Sequence, residues 1–184
     1  MQKLILWALS LCICFPLYAQ DKPISLKEGQ ALEGYFIQQR HLSGFAHPIV
    51  SEGQFYFEKN KGLIWKTQKP FETKLVINAD GITQFVDDQD TMTVSVKQFP
   101  ALETLHQVLS LSMQGRWQEI DRLYGAGLTP SGTGWALNFQ PEGDMPIQSI
   151  SLQGDEFLNH LIIVKPEGDK DEIQFHDQQI TEIK

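Results

Sequence analysis

Five histidines, a cluster of aspartates, and a glycine-rich segment with Ser131 inside it are the residues of this sequence with reactive chemistry to offer. His41, His47, His106, His160 and His176 form neither an H-E-x-x-H nor an H-x-H spacing, so the two-histidine face that grips zinc is not written here. Asp87, Asp88 and Asp90 lack the glycine and distal glutamate of a calcium loop and read as a solvated hairpin turn. Gly125 to Gly134 contains S-G-T-G but no lysine, and no helix opens after it, so it reads as a connection rather than a phosphate loop. Ser131 has no G-x-S-x-G elbow around it. No catalytic residue, metal or cofactor is expected. The chemistry left is apolar, and it is concentrated in one stretch.

That stretch is Gly53 to Gly81, GQFYFEKNKGLIWKTQKPFETKLVINADG. Phe55 and Phe57, then Leu63 and Trp65, then Phe71, Leu75 and Ile77 share one parity, while Gln54, Glu58, Glu72, Lys74 and Asn78 occupy the other. Strand side chains alternate between faces, so three consecutive antiparallel strands with one aromatic-rich apolar face are predicted. Asn60 to Gly62 and Ala79 to Gly81 supply tight turns, and Pro70 separates the second strand from the third.

The flanking segments must position this face. A short helix is allowed at most near Ser25 to Leu32, followed by a strand over Gly34 to Leu42 with Phe36 on it. His47 to Val50 reads as a short return strand. Ile82 to Val86 and Thr91 to Gln98 add strands beyond the core stretch, and in the second of these Met92, Val94 and Val96 share a face. A meander of about seven strands results. The period then changes at Pro100: Leu102, Leu105, Leu109 and Met113 recur at helical spacing up to Gly115, and Trp117, Ile120 and Tyr124 mark a shorter helix from Arg116 to a stop at Gly125. Strands resume at Trp135 to Gln140, Gln148 to Gln153, Glu156 to Lys165, Glu172 to His176 and Gln179 to Ile183, with turns at Pro141 to Gly143 and Pro166 to Asp169. A long antiparallel sheet interrupted by two amphipathic helices packs best as an unclosed barrel, the helices lidding its apolar concave face; the fold class is mainly β (α+β).

Lys3, the apolar run Leu4 to Leu17 and the small Ala19 follow the order of a secretory signal peptide, residues 1–19. About 165 residues then remain, one domain over 20–184. Cys12 and Cys14 both lie in the signal, so the mature chain has no cysteine. Losing Lys3 moves the formal charge from −8 to −9, which disfavours nucleic acid and anionic headgroups. An acidic, exported, cysteine-free domain suits the periplasm.

In order along the chain stand an F-x-Q strand (Phe36, Ile37, Gln38), a G-x-F-x-F strand (Gly53, Phe55, Phe57), Trp65 twelve residues after that glycine, Pro70, and the Asp80-Gly81 turn. Gly115 with Trp117, the Trp135 strand, and the ending Gly168, Asp169, Ile173, Phe175 extend the set over nearly the whole mature chain. The sequence resembles the outer-membrane lipoprotein carrier LolA family, as a divergent member. The resemblance implies an unclosed barrel whose cavity, walled by Phe36, Phe55, Phe57, Leu63, Trp65, Leu75, Ile77, Met92 and Val94, shields acyl chains. It implies a lid bearing Leu102, Leu105, Leu109, Met113 and Trp117. Lys59 and Asn60 stand where better-known members have Arg followed by Pro, so Lys59 is the matching lid latch, without the planar fork of guanidinium. Implied partners are acylated lipoprotein or lipid cargo, an inner-membrane ABC transporter as donor and an outer-membrane LolB-like receptor; the carrier is expected to be a monomer with no cofactor.

Three readings compete on the residues. A carrier of lipoproteins, or of another lipid such as a glycolipid or polyene lipid, needs an open cavity. A static envelope binding module has the same face filled. An envelope enzyme rests only on scattered His and Asp converging in space. Alternation does not separate a filled core from a cavity.

Overall fold

The computed structural model describes residues 25–86, 89–99, 101–132, 134–141 and 146–183 of the 184. The expected signal peptide, residues 87–88 of the acidic turn, Pro100 and most of the Pro141 to Gly143 turn lie outside these residues. The chain runs β1 (Gln30–His41), β2 (Ile49–Glu58), β3 (Gly62–Lys69), β4 (Thr73–Asn78), β5 (Gly81–Val86), β6 (Gln89–Ser95), α1 (Ala101–Met113), α2 (Trp117–Tyr124), β7 (Thr129–Ser131), β8 (Gly134–Phe139), β9 (Ser149–Gly154), β10 (Leu158–Val164) and β11 (Lys170–Glu182).

All eleven strands form one antiparallel sheet in the order β6-β5-β4-β3-β2-β1-β11-β10-β9-β8-β7. The first and last strands pair along nearly their whole length at the centre, from Gln30 opposite Glu182 to His41 opposite Lys170. The free edges are β6 and β7, so the sheet is not closed. The chain crosses from one edge to the other through α1 and α2, which meet the sheet at β5 and β8 respectively. The expected unclosed barrel with helices across its mouth is what the structure shows.

Local chemistry explains most boundaries. Asn78 Oδ1 accepts hydrogen bonds from the backbone N–H groups of Asp80 and Gly81 at 2.9 and 3.3 Å, which fixes the β4–β5 turn. Gly125 closes α2 in the left-handed conformation (φ 59°), its N–H bonded to the Asp121 carbonyl. Asp121 Oδ1 then accepts from Gly127 N and Leu128 N at 2.8 and 3.2 Å and steers the chain into β7.

Several expectations are corrected. Residues 30–32 belong to β1, not to a helix, because pairing with both β2 and β11 outweighs local helix preference. His47 to Val50 is no separate strand; β2 runs unbroken from Ile49, so six strands, not seven, precede the helices. Glu172 to His176 and Gln179 to Ile183 are one strand that a bulge interrupts. The three-residue β7 was missed, since Thr-Pro-Ser carries no alternation. Phe71 follows Pro70 in the β3–β4 turn, before the first ladder pair of β4 (Thr67 opposite Thr73), and is 78% exposed instead of joining the apolar face.

Candidate functional site

The inner face is built from cross-strand rows. One row passes Leu32, Phe57, Leu63, Ile77, Ile82 and Val94 across β1 to β6. A second passes Phe55, Trp65, Leu75, Gln84 and Met92. The first row is apolar throughout and the second is broken only by Gln84, because each strand keeps the same parity facing inward. Their burial changes along the row. Leu32, Phe57, Leu63, Phe55 and Trp65 are buried, Ile77, Ile82, Leu75 and Val94 are half-buried, and Met92 on the edge strand is 50% exposed.

The helices show the same gradient. Val108, Leu109, Leu111 and Met113 in the second half of α1 are buried, whereas Leu102 and Leu105 in its first half are half-buried. Leu75, Ile77 and Leu105 pack against the buried core from its margin. The half-open apolar residues of β4 to β6 and the half-open first half of α1 therefore belong to the same side of the molecule, where α1 meets β5.

The opposite side is filled. Trp117 of α2 stacks on Trp135 of β8 with ring centroids 3.7 Å apart, and Tyr124 stacks on Phe139 at 5.2 Å. Ile120, Leu137, Ile150, Leu152 and Leu158 are buried beneath. At the centre Phe36 lies over Trp65 at 3.7 Å, and Phe175 meets both Phe55 and Trp65 edge-on. Each aromatic pair adds about 0.5–1.5 kcal/mol beyond its buried area. Tyr124 Oη donates to Gln107 Oε1 at 2.5 Å and ties α2 to α1. One side of the lid is anchored, and the other is loosely held.

Every expected wall residue points to the inner face, but they differ in availability. Phe36, Phe55, Phe57, Leu63 and Trp65 are engaged with other protein groups, while Leu75, Ile77, Val94 and Met92 keep exposed surface. Of the expected lid residues, Leu109, Met113 and Trp117 are packed, and Leu102 and Leu105 are partly free. Lys59 lies exposed in the β2–β3 turn, and its side chain makes no hydrogen bond or ion pair among the described residues; the neighbouring Lys61 pairs with Glu58 at 3.0 Å. Ile82, Val108, Leu111 and Phe175 were not singled out as site residues. Ile82 had a readable signal, since a two-residue turn after Asn78 sets it opposite Ile77; Val108 and Leu111 sit beside the expected helical stripe and widen it.

Polar groups inside are few. Ser112 Oγ and Trp117 Nε1, at the α1–α2 junction, are buried without a hydrogen-bond partner among the described residues. His106 on α1 is half-buried, and that burial lowers its pKa below the ordinary 6.5. Glu172 lies elsewhere, on β11; the hydrogen bond from Lys170, with His160 also close by, holds its carboxyl below the ordinary value. Among the described residues no group of three His, Cys, Asp or Glu side chains is placed to hold a metal ion, and Ser131 is exposed on β7. The arrangement suits binding of an apolar chain.

The family model described as outer membrane lipoprotein carrier protein LolA matches residues 27–183. No curated protein matches the sequence. Among solved structures, the LolA superfamily protein NE2245 from Nitrosomonas europaea is similar at 10% identity and a TM-score of 0.44, over 87% of this chain and 90% of that one. The Pseudomonas aeruginosa MucA/MucB complex is similar at 12% identity and a TM-score of 0.43, over 89% of this chain. This chain spans 54% of the length of the chain it matches there.

Proposed function

This chain belongs to the LolA family of outer membrane lipoprotein carriers, and on that premise we propose that it is a periplasmic carrier that shields lipoprotein acyl chains between the two membranes. The observation that carries the reading is the burial gradient: apolar rows fully packed at the sheet centre are left half-open between β4–β6 and the first half of α1. An acyl chain of about 16 carbons, at about 0.8 kcal/mol per CH₂, needs on the order of 10 kcal/mol of shielding to cross water. The buried rows cannot supply it without moving; the half-open strip is the entrance, and separation of α1 from β5 would expose the rest. In this reading Leu75, Ile77, Ile82, Val94, Leu102 and Leu105 receive the chain first, and α2 stays seated on β8. The signal segment delivers the carrier to the periplasm. An inner-membrane ABC transporter is the donor, and a LolB-like receptor in the outer membrane is the acceptor.

A non-lipoprotein lipid is the second cargo reading. It is favoured by Lys59, whose free, exposed side chain does not latch the lid in this structure. In-cell photocrosslinking from a reactive residue at Ile77 separates the two. Captured acylated lipoproteins support the first reading, a captured glycolipid or polyene lipid supports the second, and capture of neither from the folded protein overturns the carrier in favour of a static binding module.

A further inference from the structure

The outer face of the sheet carries two hollows that have no part in shielding an acyl chain. One, of about 280 Å³, is lined by Glu33, Tyr35, Gln54, Tyr56, Lys66 and Asp177 among others. The other, of about 220 Å³, is lined by Tyr35, Glu52, Gln68, Lys69 and His176 among others. They share Tyr35, a residue 43% exposed whose ring stacks on His176 with centroids 5.7 Å apart.

Both hollows are made by breaks in the pairing of central strands. The β1–β11 register shifts between Glu33 and Tyr35, leaving one extra residue on β11, and there Asp177 takes φ 50°, a positive value unusual for a residue other than glycine. The β2–β3 register shifts between Glu52 and Gly53, leaving Gln68 extra on β3. Asp177 and Gln68 line the hollows beside their own bulges. Gly34 and Gly53 line the hollows with backbone only, since a Cβ on either would point to the inner face, 2.9 Å from Phe55 Cε1 and 2.8 Å from Phe36 Cζ respectively. Bulges re-aim side chains toward sites, and two adjacent ones flanking one aromatic ring form a built surface.

The lining selects the ligand class. Glu33 accepts a hydrogen bond from Gln179 Nε2, Glu52 pairs with Lys69, and Asp177 pairs with His176, each at 2.9 Å. With Lys66 added, three carboxylates stand against two lysines, so an anion is disfavoured. An extended peptide has no foothold, because these central strands spend their backbone groups on each other and the free edges are β6 and β7. Each hollow is smaller than the roughly 300–1,000 Å³ of a drug-sized site and takes one ring-sized group. Amides, paired carboxylates and ammonium groups around an aromatic ring offer donors and acceptors to hydroxyls and a flat apolar surface to C–H groups. We propose that this outer groove binds a neutral saccharide, one ring against the face of Tyr35 that His176 leaves open and the next in the neighbouring hollow.

The test is a titration of the ¹⁵N-labelled mature protein with the N-acetylglucosamine trimer and with maltotriose in the millimolar range. The expected result is amide shifts at Tyr35, Gln54, Lys66 and His176 with one of the two probes, and about tenfold weaker binding in Tyr35→Ala. Lys66→Ala, another exposed position, gives the same readout should Tyr35→Ala fold poorly. Acyl-lipopeptide binding should be unchanged in both variants. Absence of shifts with both sugars, equal binding by the folded variants, or the same amides responding to a lipopeptide instead would overturn the assignment.

Discussion

Replacing Ile77 by Asp tests the half-open strip most directly. Ile77 is half-buried, opposite Leu63 on β3 and Ile82 on β5. In the unliganded protein the new carboxylate keeps access to water, so the folding penalty is the partial loss of an apolar contact, about 1 kcal/mol. A bound acyl chain would cover the rest of the side chain. Binding then loses roughly another 1 kcal/mol of apolar burial and also pays about 1–3 kcal/mol for desolvating a polar group. The sum, about 2–4 kcal/mol, corresponds to a loss of affinity of about 30- to 1,000-fold. Phe57→Asp, by contrast, places a charge at a position that is 1% exposed, and should cost more than about 4 kcal/mol of stability. It cannot separate binding from folding. The assay is equilibrium binding of a fluorescent diacylated lipopeptide, with urea denaturation of the same samples. A folded Ile77→Asp protein that binds as well as the parent would refute the location of the cargo entrance.

Three further outcomes are expected. Trp117→Ala should cost about 3–5 kcal/mol in denaturant titration, because the ring is fully buried against Trp135 and nothing can collapse into its place; a cost under about 1 kcal/mol would show that α2 is not the anchored side. Ser112→Ala removes from a helix a buried hydroxyl with no partner among the described residues and should stabilise by about 1 kcal/mol, and a clear destabilisation would show that the hydroxyl is hydrogen-bonded. For pH, His106 has a folded pKa below 6.5, so the unfolded chain takes the proton first and stability falls as pH drops below about that value. Glu172 has a folded pKa below its ordinary 4.5, so its contribution is present above that value and is lost as pH falls through the lower folded value. His106→Gln should flatten the loss between neutral and mildly acidic pH while leaving the steeper acid limb, which Glu172→Gln should reduce; identical profiles for all three proteins would contradict both assignments.

Much of this architecture is legible without coordinates where one residue's neighbours in sequence are also its constraints. The parity of Phe55, Phe57, Leu63, Trp65, Leu75 and Ile77 is a property of strand geometry, and the rows appear in the structure as that parity requires. The two helices end just before Gly115 and Gly125, both in the left-handed conformation. Reading failed where a distant partner decided. Residues 30–32 became strand through pairing with β11, and the bulge beside Tyr35 at Asp177 arises from the register of β1 with β11, strands far apart in the chain. Helical periodicity placed Leu102 and Leu105 on the same stripe as Leu109 and Met113, yet only the latter two are buried.

The sequence by itself determined which side chains share a face, where the period changes from two to 3.6, and that the apolar face must be covered, because alternation and helical repeat are local consequences of backbone geometry. Only the tertiary structure decided how completely that face is covered. Coverage depends on which strand each helix meets, and the join of β1 to β11 leaves β6 and β7 as the edges that the helices must bridge. The stacked Trp117 and Trp135 seat α2 firmly at one edge, while the first half of α1 covers the other loosely. A filled core and an opening groove use the same residues in the same order; the distance between their two walls, which no local rule encodes, separates them.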